Sequence, residues 1–179
     1  MNNTIKMKDA LYIANTYNRY PLYAKYGNGC LIIDDEGKEY IDFTSGIGVT
    51  GLGHSFEPWV EATTKQLKDL EHISNLFYTK PAVEVAEKLC KKTDMKRVFF
   101  ANSGAEANEG AIKVARKYAY DLYRGDRSEI ITLKNSFHGR TLAALTATGQ
   151  DSFHQNFGPF VEGFQYAEAD NFEDLKNKI

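Results

Sequence analysis

Cysteine, proline and tryptophan are scarce in these 179 residues, at two, four and one respectively. Cys30 and Cys90 stand far apart and in no CxxC or Cys/His spacing, which excludes a disulfide framework or a zinc module and leaves two reduced core thiols of a cytoplasmic protein as the expectation. Neither sign of charge is in excess. With Lys+Arg 22 against Asp+Glu 24 and a formal net charge of -2, nothing electrostatic recommends nucleic acid or an anionic membrane as partner. Long apolar runs are also missing. The longest uncharged stretch, Phe43 to Phe56, is rich in glycine and too short to span a bilayer as a helix. The first twenty residues lack the continuous apolar core of a secretion signal. No repeat or low-complexity segment occurs, and the composition excludes disordered, collagen-like and coiled-coil classes. What is there, 42% hydrophobic residues on a chain of this length, suffices for a sizeable core and suits one domain, or one domain with an appendage.

Residues 8–20 carry a loose helical pattern that stops at Pro21. Two β-prone runs, Cys30–Ile33 and Glu39–Phe43, flank the acidic turn Asp34–Lys38 and predict a hairpin. The glycine-rich stretch after it is expected to be a loop, and helices are expected beyond Pro58 and beyond Pro81. From residue 97 the pattern becomes strand, turn and helix. Arg97–Ala101 resembles a strand buried on both faces, Asn102–Gly104 a tight turn, and Ala107, Ala111, Val114, Ala115, Tyr118, Ala119 and Leu122 a buried helical stripe. With a second strand at Glu129–Leu133 this predicts a βαβ unit and an α/β fold with a parallel sheet. Residues 170–179 open a further helix without a stop signal, as if the chain were cut in mid-fold.

Two places could carry chemistry. Ser103 at an N-cap with Glu106 three residues on is a capping box, which by itself explains both residues. The same turn could bind an anion, because Gly104 and Ala105 offer free amides at the positive end of a helix with almost no side chain in the way. The second place is Ser136–Thr141, after a strand, where ligands of open α/β sheets collect. Phe137 beside Arg140 suits a flat, anionic ligand, with the ring stacking and the guanidinium forking a carboxylate. The alternative makes Phe137 core filler and Arg140 a solvated charge. His138 has no metal-ligand partner at suitable spacing and is expected to be structural. Gly46–Gly51 satisfies GxGxxG, but no helix opens within it and no acidic strand end follows, so a nicotinamide dehydrogenase is not supported.

Phe99–Lys113 followed by Asn135–Thr141 resembles the class III aminotransferases, which use pyridoxal phosphate, and within them the acetylornithine branch. The likeness extends over Gly37–Phe43, Gly46–His54 and His72–Thr79. It departs at Phe56 and Glu57, in place of which the family usually has His then Pro, a matter of local loop shape. The resemblance implies a fold-type I transferase. Residues 1–55 would form an N-terminal segment with part of the small domain, and 56–179 the first half of the large parallel-sheet domain. It implies that Ser103, Gly104 and Ala105 hold the cofactor phosphate, that Phe137 stacks on the pyridine and that Arg140 pairs with the substrate α-carboxylate. The loop Ser45–His54 would line the site entrance of a homodimer. It further implies ping-pong transfer of the ω-amino group of N-acetylornithine to 2-oxoglutarate, a step of arginine biosynthesis. Ornithine, succinylornithine and 4-aminobutyrate remain open as donors, as does a non-catalytic module. The Schiff-base lysine, the aspartate facing the pyridine nitrogen and a second phosphate contact are expected beyond residue 179, so no catalytic residue is assigned here and the chain alone is expected to be inactive.

Overall fold

The acidic stretch Asp34–Lys38 closes the hairpin foreseen for it. In the computed structural model, which describes residues 3–179, strands β1 (Ala24–Asn28), β2 (Leu31–Asp34) and β3 (Glu39–Ile41) form an antiparallel sheet in that order. Leu31 pairs with Ile41, Ile32 with Tyr40 and Ile33 with Glu39. One Asp34 carboxylate oxygen accepts from the Glu36 and Lys38 amides, each at 2.9 Å, and the other accepts from the Tyr40 hydroxyl at 3.0 Å. A turn aspartate that satisfies backbone donors two and four residues on is a local, sequence-encoded device. Strand β1 has little β signal and is held partly by a close approach: a Cβ on Gly27 would lie 2.7 Å from His54 Cγ.

The first helix, α1, runs from Asn3 to Tyr12, earlier than the 8–20 expected. Past Tyr12 come Asn15, Thr16 and Asn18, whose side chains compete for the backbone and end the helix before Pro21 can. The glycine-rich loop contains a tight turn, α2 (Ser45–Gly48), in which Ser45, Gly46, Ile47 and Gly48 all have φ between 49° and 80°. Its start is fixed by Asp42, whose Oδ1 accepts from the Thr44 amide and hydroxyl and from the Ser45 amide, while Oδ2 lies 2.9 Å from His54 Nε2. Cys30 is exposed beside the Gly29–His54 bridge, so it is not the core thiol expected; Cys90 is half-buried, and both are free. Helix α3 (Glu57–Asp69) carries Pro58 in its first turn, where a missing N–H costs nothing.

The described residues cluster into two units, the second running from Thr79 to Ile179. It opens with α4 (Lys80–Thr93), again with proline in the first turn. Arg97–Ala101 then departs from expectation. It pairs with no strand among the described residues, and Phe99 is 72% exposed. Without a ladder on either side it is neither a strand nor buried; the Phe99 ring rests on α5, 2.9 Å from where a Gly110 Cβ would be. Helix α5 (Gly104–Tyr123) forms as predicted but buries a face that shares only Ala119 with the predicted stripe. Ile112 and Ala119 are buried and Ala105, Asn108, Glu109 and Arg116 half-buried, whereas Val114, Tyr118 and Leu122 of the predicted stripe are exposed.

The parallel sheet is present as β4 (Ile130–Leu133) against β5 (Phe164–Ala167), with Ile130 opposite Phe164 and Leu133 opposite Ala167. The crossover between them holds α6 (Leu142–Ala147) and α7 (Asp151–His154). Residues 144–148 are all buried, so α6 is the centre of this unit's core. The terminal helix foreseen is α8 (Phe172–Lys176), capped by Asn171. Among the described residues no helix is long and apolar enough to cross a membrane, and no cluster of side chains could hold a metal ion.

Candidate functional site

Helix α5 begins as its sequence dictates. Ser103, in extended backbone, accepts from the Glu106 amide at 3.2 Å through its hydroxyl, the N-cap bond expected. The reciprocal half of the capping box is displaced by one residue: the Glu106 carboxylate takes the Asn102 amide at 2.6 Å, not that of Ser103. The amides of Ser103, Gly104 and Ala105 therefore find no acceptor among the described residues. A Cβ added to Gly104 would meet nothing within 4 Å, so the turn is open above these donors. Three unpaired amides at the positive end of a 20-residue helix could hold a tetrahedral anion. The dipole contributes up to about 2 kcal/mol to such an anion in a partly buried geometry.

The loop after β4 lies directly against this turn. Its exit from the sheet is fixed where Asn135, at φ 61°, donates its amide to the Gly149 carbonyl at 2.6 Å. Gly149 tolerates no side chain, since a Cβ would fall 2.2 Å from the Leu133 carbonyl oxygen. Gly139, buried at φ 132°, presses onto the helix: a Cβ there would lie 2.6 Å from Ala105 Cβ. Two motifs more than thirty positions apart thus meet where the bare backbone of Gly139 lies against Ala105. The buried Thr148 hydroxyl accepts the His138 amide at 2.9 Å and donates to the Ala144 carbonyl at 3.0 Å, tying the loop to the end of α6 as well.

Within this frame Phe137 is 54% exposed, its ring tilted 58° to that of Phe153 with centroids 5.8 Å apart. One flank of the ring is packed against Phe153 and the rest is exposed in this chain. Arg140 is exposed, next to the Gly139 contact. His138 is half-buried, with Nδ1 3.3 Å from the Ser136 hydroxyl and its carbonyl accepting from Asn108 Nδ2 at 2.7 Å. Ser103, Gly104, Ala105, Phe137 and Arg140 all belong to the second unit. Sequence reasoning missed Asn108 and Glu109. Glu109 Oε1 accepts from the Thr141 hydroxyl at 2.6 Å and from the amides of Ala143 and Ala144 at 3.2 Å each. The available signal was their place one helical turn past Ala105, on the same face.

Comparison with protein families matches residues 12–178 to the family described as Aminotransferase class-III. The acetylornithine aminotransferase of Haemophilus ducreyi is 53% identical over 178 residues, which cover 99% of this chain and 45% of that enzyme. Among solved structures, ornithine aminotransferase from Toxoplasma gondii ME49 superposes with a TM-score of 0.93 at 28% identity, over 99% of this chain and 42% of the other. A further structure of the Toxoplasma gondii enzyme, TM-score 0.92 at 28% identity and with the same coverage, is described as having partial occupancy of pyridoxal phosphate at its active site. The chain spans less than half the length of the relatives it matches.

Proposed function

The chain belongs to the class-III aminotransferases, a pyridoxal-phosphate-dependent family of fold-type I, and from that premise we propose that it is the cofactor-phosphate and substrate-carboxylate half of an acetylornithine aminotransferase. The whole protein would transfer the ω-amino group of N-acetylornithine to 2-oxoglutarate as a cytoplasmic homodimer, with residues 1–55 in its small domain and 56–179 in its large one. The observation that carries this reading is the contact of Gly139 with Ala105, which joins an amide cradle to a loop bearing an exposed ring and a guanidinium. Identity of 53% to an acetylornithine enzyme, against 28% to an ornithine enzyme, supports the choice of donor.

The residues fit the cofactor. The Ser103, Gly104 and Ala105 amides would hold its phosphate without a counter-charge, using the helix end. Phe137 would lie against its ring, with the other flank of the phenyl group fixed by Phe153. Pyridoxal phosphate, when bound, supplies the electron sink for breaking the bond to hydrogen beside the substrate nitrogen. Arg140 would take the carboxylate remote from the reacting carbon through two parallel charge-assisted bonds, the α-carboxylate of N-acetylornithine and then the far carboxylate of 2-oxoglutarate, orienting each in turn. The test is Arg140→Lys in the full-length protein. It should lower kcat/KM for acetylornithine and 2-oxoglutarate together, by ~1.5–3 kcal/mol each, with cofactor loading intact. Loss of pyridoxal phosphate from this variant, or unchanged turnover of both acids, would refute the assignment.

A further inference from the structure

We propose that Asn108 and Glu109 are positioning residues that hold the Arg140 loop in register with the amide cradle at the start of α5, an inference that rests on the function proposed above. Positions 105, 108 and 109 lie one turn apart on a single helix face. Each meets a different part of the loop. Ala105 meets Gly139, Asn108 donates to the His138 carbonyl at 2.7 Å, and Glu109 accepts from Thr141, Ala143 and Ala144. Arg140 is therefore pinned on both sides, through Gly139 by contact and through Thr141 by a 2.6 Å hydrogen bond.

Glu109 also does for α6 what its own cap does not. Thr141 occupies the N-cap position of α6 but makes no side-chain bond to its first turn, and the amides of Ala143 and Ala144 are taken by the Glu109 carboxylate instead. A carboxylate at that end is favoured by the helix dipole as well as by the bonds. One side chain on α5 thus fixes the hydroxyl after Arg140 and the helix that follows. The spacing between phosphate and carboxylate anchors would be set by this side chain, with no direct contact to substrate required of it. Such spacing governs how well one arginine can serve two acids on a single bound cofactor.

The experiment uses the full-length protein with Glu109→Ala, Glu109→Gln and Asn108→Ala. KM and kcat are measured for acetylornithine and 2-oxoglutarate, pyridoxal phosphate affinity by fluorescence titration, and Tm by scanning. Glu109→Ala should raise KM for both acids together by about tenfold or more, the scale of a lost hydrogen bond to a charged group, while cofactor affinity changes less than about twofold. Glu109→Gln keeps an oxygen acceptor for the same three donors and should bring KM back towards wild type. If Glu109→Ala does not fold, Asn108→Ala, which removes one bond, should still raise both KM values by about threefold. Unchanged KM in folded variants, a cofactor affinity that falls in step with KM, or a glutamine variant as impaired as alanine would overturn the proposal. A wild-type protein with no transaminase activity on any ω-amino donor would overturn the function reading and this proposal with it. An active wild type with indifferent variants overturns this proposal alone.

Discussion

Gly139→Ala tests the contact on which the site depends. A Cβ at 139 would lie 2.6 Å from Ala105 Cβ, 2.9 Å from Ala105 Cα and 3.1 Å from Ala144 Cβ. Carbon atoms settle at about 3.5–4.0 Å, so relief from Ala105 alone requires a shift of roughly 1 Å. The loop cannot simply retreat, because Ala105 and Ala144 belong to two different helices that bracket it. Overpacking of this kind costs about 1–3 kcal/mol. The φ of 132° at this position adds about 1–3 kcal/mol for any residue with a side chain. Together the loss is about 2–6 kcal/mol, a large share of the ~5–15 kcal/mol that ordinarily holds a domain together. Gly104→Ala is the control. Its new methyl meets nothing within 4 Å and its backbone is ordinary helix, so folding stability should hold or rise by ~0.4–1 kcal/mol. The methyl would nevertheless narrow the approach to the amide cradle and weaken pyridoxal phosphate binding. Urea unfolding midpoints with and without cofactor, measured on both variants, separate the two effects. A Gly139→Ala protein that unfolds at the wild-type midpoint would refute the contact argument, and equal destabilisation of the two variants would do so as well.

Phe137→Ala should cost little folding stability, since the ring is half open, but should weaken cofactor affinity by ~0.5–1.5 kcal/mol; equal affinities by titration would remove the ring from the site. Asp42 is held well below the usual carboxylate range, first by the Thr44 hydroxyl and then by His54, so it takes up its proton less readily folded than unfolded. Its contribution is complete above the unfolded value of about 4 and is lost as the pH falls through the folded one, so Asp42→Asn should flatten the acid side of the stability profile. Denaturation curves with the same acid slope for both proteins would count against that. With Phe43, Ile47 and Tyr78 almost fully exposed, and Val114 and Tyr118 of α5 exposed as well, the 179-residue chain should self-associate. A stable monomer by light scattering would contradict this.

Features set by neighbouring residues are legible in the amino-acid sequence alone. Asp34–Lys38 closes its hairpin because an aspartate reaches amides two and four residues away, and α3 and α4 start where Pro58 and Pro81 suit a first turn and α5 where Ser103 suits an N-cap. The two motifs that carry the family resemblance, and within them Gly104, Phe137 and Arg140, are likewise visible as sequence. Tertiary structure alone decided which face α5 buries, because the face that carries Asn108, Glu109 and Arg116 is covered only where distant segments supply their partners, the start of α6 for Glu109 and Glu162 and Phe164 for Arg116, leaving Val114 and Tyr118 exposed. It decided that Arg97–Ala101 has no ladder among the described residues, since a strand exists only where another lies alongside to take its hydrogen bonds. It also decided the roles of Asn108 and Glu109. Their partners lie some thirty positions further along the chain, and no local rule of spacing links a helical glutamate to the amides of a helix that folds back against it. Local chemistry is written in runs of a few residues, whereas a contact between distant segments depends on where the whole chain closes.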